Sequence, residues 1–396
     1  MPILAVGVKH LRRSRKGIAS SPGSRTLPTF SIIVPVKDEE KVVGRLLDTL
    51  WRLNYPKDKM EVIVVEDGST DETLDICMKY AGDHKGLVKV FRKPFSNGKP
   101  SALNYGIRCA REEIVGIFDA DNVPDINVLM NVCKYFEDSG VAAVQGRTLS
   151  INSDENMVTK FISYEEAVWC ETYLRGKDVL NLFVHLKGSC QFIKRRVLEK
   201  LGFFDEGALS EDMELSARLT EKGYKIRYAP DVCAWQETPA DLKQLFRQRT
   251  RWFRGTMEVA LKYGRLMAKP NKKSIDAEAT LFGPVILIAS LTAYMIGLTT
   301  LFSAFQSNAL WGILIQLMTI ASTLSVLVCG LALIYVSKPR RVANLLWFPF
   351  VYFYWTLQAL IAFYTVFLIL LRRPRKWVKT EKTGTIRPKG LEEFSI

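Results

Sequence analysis

Ile114-Val-Gly-Ile-Phe-Asp-Ala-Asp121 is the stretch that decides the fold. Its five leading residues read as a strand buried on both faces, and the strand runs out into two aspartates two positions apart. The pattern repeats upstream. Phe30-Ser-Ile-Ile-Val-Pro-Val36 and Glu61-Val-Ile-Val-Val65 are buried strands, the second ending in Glu66-Asp67-Gly68-Ser69, and Leu87 to Phe91 is another. Between them, Lys41 to Leu53, Thr70 to about Tyr80 and Ser101 to Ala110 carry helical signals. Strand and helix alternating in this rhythm predict an α/β fold on a Rossmann-like, mostly parallel sheet. Ligands gather beyond the C-terminal ends of such strands. Two strands here end in carboxylates, so that edge is the candidate site.

Asp119 and Asp121 can reach one divalent cation. Their oxygens suit Mg2+ or Mn2+, which complete their shells with water and substrate phosphate. A carboxylate in Glu66-Asp67-Gly68-Ser69 suits a ribose hydroxyl, with Gly68 free to turn. A turn leading into a helix explains the same residues. Asn97-Gly98-Lys99-Pro100 places a lysine at a helix start, where anions are favoured, although a plain turn accounts for it too. Ser210-Glu211-Asp212 opens an amphipathic helix, with Ser210 as N-cap and the acids at the positive end of the dipole. One of those acids is also a candidate general base. Leu242 to Trp252 reads as a basic amphipathic helix suited to a membrane surface, and Arg249 or Arg251 has the shape to clamp a pyrophosphate. Each motif is weak alone.

The 396 residues divide unevenly in composition. The first 278 carry charges of both signs, whereas Ala279 to Ser337 contains no Asp, Glu, Lys or Arg, and neither does Val342 to Leu371. A soluble domain needs a charged outer face, so the sequence predicts a soluble half followed by a membrane half. Leu281 to Phe302 and Leu310 to Val336 are long enough to span. Basic residues flank them, and that bias assigns the net charge of +14 to positive-inside topology. No nucleic-acid module is visible. Pro349, set among Trp347, Phe348, Phe350, Tyr352, Phe353, Tyr354 and Trp355, suggests a break in the third apolar segment. The expectation there is an interfacial or re-entrant helix pair that leaves the tail cytosolic, with a simple third span as the alternative. Seven scattered cysteines without a C-x-x-C pair point to a reducing compartment. The basic segment before Pro28 is expected to be a flexible leader.

Taken in order, Val34-Pro-Val-Lys-Asp-Glu39, the Glu-Asp-Gly-Ser turn, Gly98-Lys99 with Asn104, Asp119/Asp121, Val144-Gln-Gly-Arg147, Ser210-Glu-Asp212 and Gln248-Arg-Thr-Arg-Trp252 resemble glycosyltransferase family 2. The branch is the membrane-bound one, with cellulose, hyaluronan and poly-N-acetylglucosamine synthases and related membrane glycosyltransferases. The tail Trp377-Val-Lys-Thr-Glu-Lys-Thr-Gly384 is similar to theirs as well, so the resemblance runs from about residue 30 to 384. It implies a GT-A fold and inverting displacement at the anomeric carbon. It further implies that Glu39 and Asp67 hold the donor's base and ribose, that Lys99 lies near the nucleotide, and that Asp119 and Asp121 bind the metal on the diphosphate. Asp212 would be the general base, Gln248 and Arg251 would contact the diphosphate, and Trp252 would line the acceptor site. Lys37 stands where the family often has an aromatic residue, Asp38 where many have Asn, and Ser210 where Thr is common. Uridine is the favoured donor base, with guanosine second.

The expected organisation is a basic leader at 1–28, a GT-A catalytic domain at 29–240 and amphipathic interface helices at 241–278. Two transmembrane helices at 279–337, an interfacial or re-entrant segment at 338–376 and a cytosolic tail at 377–396 follow. The expected function is a metal-dependent (Mg2+ or Mn2+) transfer from a nucleoside-diphosphate sugar to a membrane lipid or lipid-linked acceptor. The expected location is the cell membrane with the catalytic domain cytosolic, membrane lipids as partners and no nucleic acid. A processive β-polysaccharide synthase acting on a growing glycan is the alternative, disfavoured by the lack of spans ahead of the catalytic domain. A non-catalytic membrane scaffold is a minor one.

Overall fold

The computed structural model describes residues 2–14, 27–264, 270–302, 309–336, 346, 348–375 and 380–384. They fall into two compact units. One, the sheet unit, takes Lys16–Glu166, Phe183–Ala240 and Thr380–Ile396; the other, the helical unit, takes Met1–Arg15, Ala167–Leu182 and Asp241–Lys379.

The sheet unit is built on β1 (Phe30–Val36), β2 (Met60–Asp67), β3 (Val88–Lys93), β4 (Ile114–Ile117), β5 (Val123–Pro124), β6 (Val141–Ser150), β7 (Gln191–Lys194) and β8 (Lys225–Gln236). They form one eight-stranded sheet in the order β3-β2-β1-β4-β7-β6-β8-β5. The β3-β2-β1-β4 half is parallel, as the alternating sequence predicts. The other half is not: β7 runs antiparallel to both β4 and β6, and β5 antiparallel to β8, so the sheet is mixed. Strand alternation sends side chains to opposite faces. Ile32, Val34, Val62 and Val64 share a core with Val43, Leu46, Leu47 and Leu50 of the helix Val43–Arg52. Ile33 and Val65 point the other way. There a Cβ on Gly106 would stand 2.7 Å from Ile33 and 3.1 Å from Val65, so glycine lets the helix Lys99–Cys109 lie close on the sheet. Covering both faces fixes the strand ends in one row, and the site lies along that row.

The helical unit corrects the reading of the leader. Pro2–Ser14 is a helix with Leu11 buried, rather than a flexible segment. Gly7 and Gly176 permit its close approach, since a Cβ on either would collide with the backbone of Thr172 or Ile3. Residues 15–26 lie outside the described residues. The fully buried Lys177 ammonium is satisfied by Asp276 at 2.9 Å and Thr280 Oγ1 at 2.6 Å, which ties 175–179 to the helix Lys272–Leu281. The basic helix is longer than expected, Leu242–Tyr263, capped by the Asp241 carboxylate accepting from Gln244 N–H.

The apolar segments form helices Gly283–Phe302, Ala309–Val336 and Phe348–Leu370. Among the described residues, Tyr352–Leu370 is long and apolar enough to cross a membrane. Lys272–Leu281 with Gly283–Gly297, bent by 68°, adds a second such span if counted as one. The expected break at Pro349 does not occur. Pro349 sits in the first turn of one continuous helix, where its missing N–H has no intrahelical partner to lose. That helix ends against the basic one: the Arg254 guanidinium donates to Arg373 O at 2.6 Å and to Pro374 O at 3.2 Å.

Candidate active site

Beyond the end of β4, Lys99 joins two acidic groups distant in sequence. It opens its helix after Gly98, whose φ of +89° suits glycine. Its Nζ donates to Asp119 Oδ1 at 2.5 Å and to Gly188 O at 3.0 Å, and lies 3.8 Å from Glu211 Oε1. Burial pulls the Lys99 pKa down, but Asp119, Glu211 and Asp212 more than offset it, so the pKa stands above the ordinary lysine value. The stability such a lysine lends is whole below about pH 10 and is lost as pH rises through the folded value. Lys99 is therefore an ammonium across the physiological range. Glu211 and Asp212 open the helix Glu211–Glu221. Ser210 holds the N-cap position without a side-chain cap bond. Asp212 Oδ2 lies 3.2 Å from the position a Cβ on Gly188 would take, and Gly188 has φ +80°. Glycine there leaves the Asp212 carboxylate room beside Lys99.

Gln145 and Gly146 of the Val144-Gln-Gly-Arg147 motif hold the loop that carries Gly188. Gln145 Nε2 donates to Ser189 O at 3.0 Å, its Oε1 accepts Lys187 N–H at 2.7 Å, and Gly146 N–H donates to Cys190 O at 2.8 Å. A Cβ on Gly146 would meet Val232 O at 2.6 Å and Cys190 O at 2.9 Å, both backbone atoms that cannot swing away. Gly146→Ala is therefore expected to cost about 3 kcal/mol of stability and to loosen the 187–190 loop, as read by thermal unfolding and by hydrogen exchange there.

Asp121 meets the chain's tail. Its Oδ2 accepts from Lys382 Nζ at 2.6 Å and from Glu237 N–H at 3.2 Å. Burial lowers the Lys382 pKa, and Asp121, with help from Glu39 and Asp119, more than restores it, so this lysine too is raised. Glu237, just past β8, receives Thr383 N–H at 2.9 Å and Gly384 N–H at 3.4 Å on Oε2, and its carbonyl accepts Lys382 at 2.6 Å. Arg45 Nη2 donates to Asp121 O at 3.0 Å and stands 3.1 Å from Glu237 Oε1, an ion pair by distance that lacks hydrogen-bond angles. Glu237→Ala is expected to free 380–384 by removing the carboxylate that receives Thr383 and Gly384 N–H, for a loss of about 2 kcal/mol. Faster proteolysis of the tail than in wild type would be its signature.

The remaining expected residues are placed differently. Asp67 is 4% exposed with both oxygens occupied, Oδ1 by Lys93 Nζ at 2.9 Å and Oδ2 by Ser96 Oγ at 2.7 Å. Its direct partners are thus the loop after β3. Glu39 lies near Lys382, and its N–H donates to Thr73 Oγ1 at 2.7 Å. Asp38, in the left-handed region at φ +53°, ties its loop to Thr70 N–H at 2.7 Å. Gln248, Arg251 and Trp252 belong to the helical unit, at i, i+3 and i+4 on one face of the helix Leu242–Tyr263. Arg249 stacks over Trp252 at 4.4 Å, and the buried Arg251 Nε has no hydrogen-bond partner among the described residues. Glu237, Lys382 and Arg45 were missed by sequence reasoning; only the resemblance of the 377–384 tail hinted at Lys382.

The residues present fit a divalent cation of the kind that binds few protein ligands. Asp119 Oδ2 and Asp121 Oδ1 stand outside the ion pairs above. No group of three His, Cys, Asp or Glu that could hold a metal exists among the described residues. Two carboxylates with the rest of the shell left to water and phosphate is the Mg2+ or Mn2+ pattern.

The model of the family described as glycosyltransferase-like family 2 matches residues 28–255, more than half the chain. The chain belongs to glycosyltransferase family 2. Beta-monoglucosyldiacylglycerol synthase of a Nostoc species is 32% identical over 62% of this chain and 52% of its own length. Poly-beta-1,6-N-acetyl-D-glucosamine synthase of Staphylococcus epidermidis is 28% identical over 62% of this chain and 59% of its own. The chain thus spans little more than half the length of these relatives. The structure of mannosyltransferase PcManGT from Pyrobaculum calidifontis, in complex with GDP-Man and Mn2+, shares the fold. It has a TM-score of 0.54 and 24% identity, covering 82% of this chain and 94% of that one. The mixed sheet of this family 2 glycosyltransferase is accordingly of GT-A type.

Proposed function

We propose that this glycosyltransferase moves a sugar from a nucleoside diphosphate, UDP first and GDP second, to a membrane lipid or lipid-linked acceptor, with inversion and with Mg2+ or Mn2+. The observation that carries the reading is the Lys99 bridge, which brings Asp119 together with Glu211 and Asp212 across about 90 residues of chain. Asp119 and Asp121 would hold the metal, which when bound would supply positive charge to the diphosphate leaving group. Asp212 would take the proton of the acceptor hydroxyl, leaving the oxygen to attack the anomeric carbon as the nucleoside diphosphate departs. Half-exposed at a helix start, it has the access that Glu211, buried against Lys99, lacks. Gln248 and Arg251 would reach the diphosphate and Trp252 the acceptor.

The chain's course bears on membrane topology. It leaves the sheet unit at Ala240 and is back in it at Thr380, with Lys382 and Thr383 bonded to Asp121 and Glu237. A chain that ends on the side where it started crosses a bilayer an even number of times. We therefore assign two of the three apolar helices as spans, with the tail cytosolic alongside the catalytic unit.

A panel of UDP- and GDP-sugars, each with Mn2+ or Mg2+ and lipid vesicles, tests the donor through the nucleoside diphosphate released. No release from any donor would overturn the proposal. The one-face set Gln248, Arg251 and Trp252 favours a second reading, processive synthesis of a β-linked glycan. Product size separates the two: a glycolipid carrying one sugar or a few supports the first, a polymer the second.

A further inference from the structure

We infer that Phe95 is the platform on which the donor's nucleobase stacks, and that Asp67 acts by positioning it; this rests on the nucleoside-diphosphate reading above. Phe95 is 80% exposed. It lies two residues past β3, whose last residue Lys93 pairs in parallel register with Asp67, the last of β2. It therefore stands at the strand ends where ligands of such sheets bind.

The loop that presents it is built to stay put. Asp67 takes Lys93 Nζ on one oxygen and Ser96 Oγ on the other, clamping the chain on both sides of Phe95. Gly68, at φ +74°, lets the loop close on the β2 turn, since a Cβ there would lie 3.3 Å from Ser96 N and 3.4 Å from Pro94 O. Gly98, at φ +89°, turns the chain straight into the Lys99 helix. A clamped backbone carrying an outward aromatic ring loses little conformational entropy when a flat ligand settles on it.

The placement also suits the length of the donor. In the order β3-β2-β1-β4, the ends of β3 and β4 lie three strand spacings apart, about 14 Å. Asp119 follows β4. With the diphosphate at Asp119 and Asp121, an extended nucleoside lying along the strand ends brings its base to β2 and β3. Every base has a π-face, so the platform takes pyrimidine or purine, and discrimination between them falls to other groups.

Calorimetry tests this on the full chain in detergent with Mn2+, using UDP, GDP and inorganic pyrophosphate as probes. Phe95→Ala should weaken the better-bound nucleoside diphosphate about tenfold and leave pyrophosphate, which has no base, unchanged. Phe95→Trp should hold the wild-type affinity. Asp67→Asn should show the same selective loss as Phe95→Ala. Unchanged nucleotide affinity in Phe95→Ala overturns the inference while leaving the donor reading intact. So does an equal loss for pyrophosphate, or a loss of vesicle binding without a loss of nucleotide. If the wild-type chain binds neither nucleoside diphosphate, the donor reading itself falls.

Discussion

Asp212→Asn should lower turnover about a thousandfold while nucleoside-diphosphate affinity stays within a few-fold of wild type. The substitution keeps size and shape but removes the group that can take a proton. Asp212 Oδ1 accepts the N–H of Met213 at 2.8 Å, a bond the asparagine carbonyl can keep, so the helix start should survive. Glu211→Gln is the informative control. Glu211 is buried and sits 3.8 Å from the Lys99 ammonium, so its loss should act through Lys99 and Asp119. That predicts weaker donor binding with a smaller fall in turnover. Single-turnover kinetics with saturating donor, beside calorimetry with nucleoside diphosphate, separate the two variants. Retained turnover in Asp212→Asn would remove it as the base, and a wild-type donor affinity in Glu211→Gln would remove the Lys99 linkage.

The parallel half of the sheet was legible because its strands are buried on both faces, which leaves runs such as Ile32-Ile33-Val34 and Val62-Ile-Val-Val65 with almost no polar interruption. The antiparallel strand β7 was not. Gln191-Phe-Ile-Lys194 is four residues with polar ends, and its register comes from β4 and β6, strands far away in sequence. The same distinction runs through the site. Asp119 and Asp121 stand out because both acids lie in one short stretch. Their lysine counter-ions do not, since Lys99 and Lys382 come from 20 residues upstream of Asp119 and from the tail. Asp67 was noticed as an acid at a strand end, yet what it does depends on Lys93 and Ser96, which only the β2–β3 pairing brings to it. The Pro2–Ser14 helix read as a loose basic leader because its partners are the backbone around Thr172 and Gly176, where glycines on both sides make the fit. Close backbone approach of that kind leaves no periodic signal.

Asp121→Asn should separate the ion pair with Lys382 from the metal-binding role proposed for the same carboxylate. In the absence of metal it removes the charge that faces Lys382, a pair with side-chain exposures of 7% and 16%. An ammonium left buried without its counter-ion costs about 3 kcal/mol, discounted here because Glu237 O still accepts from it at 2.6 Å. Thermal unfolding should therefore show a lower melting temperature, and hydrogen exchange a looser 380–384 segment. In the presence of Mn2+ the same change removes one of the two carboxylates available to the ion, so metal-dependent nucleoside-diphosphate binding should weaken at least about tenfold. Lys382→Met isolates the first job. It deletes the ammonium but leaves both aspartates, so it should loosen the tail and spare metal-dependent binding. The two variants then form a pair whose effects agree on the tail and diverge on the metal. Should Asp121→Asn retain full Mn2+-dependent affinity, the acid's role would reduce to holding Lys382, and the ion would have to be placed on Asp119 and the donor phosphates alone.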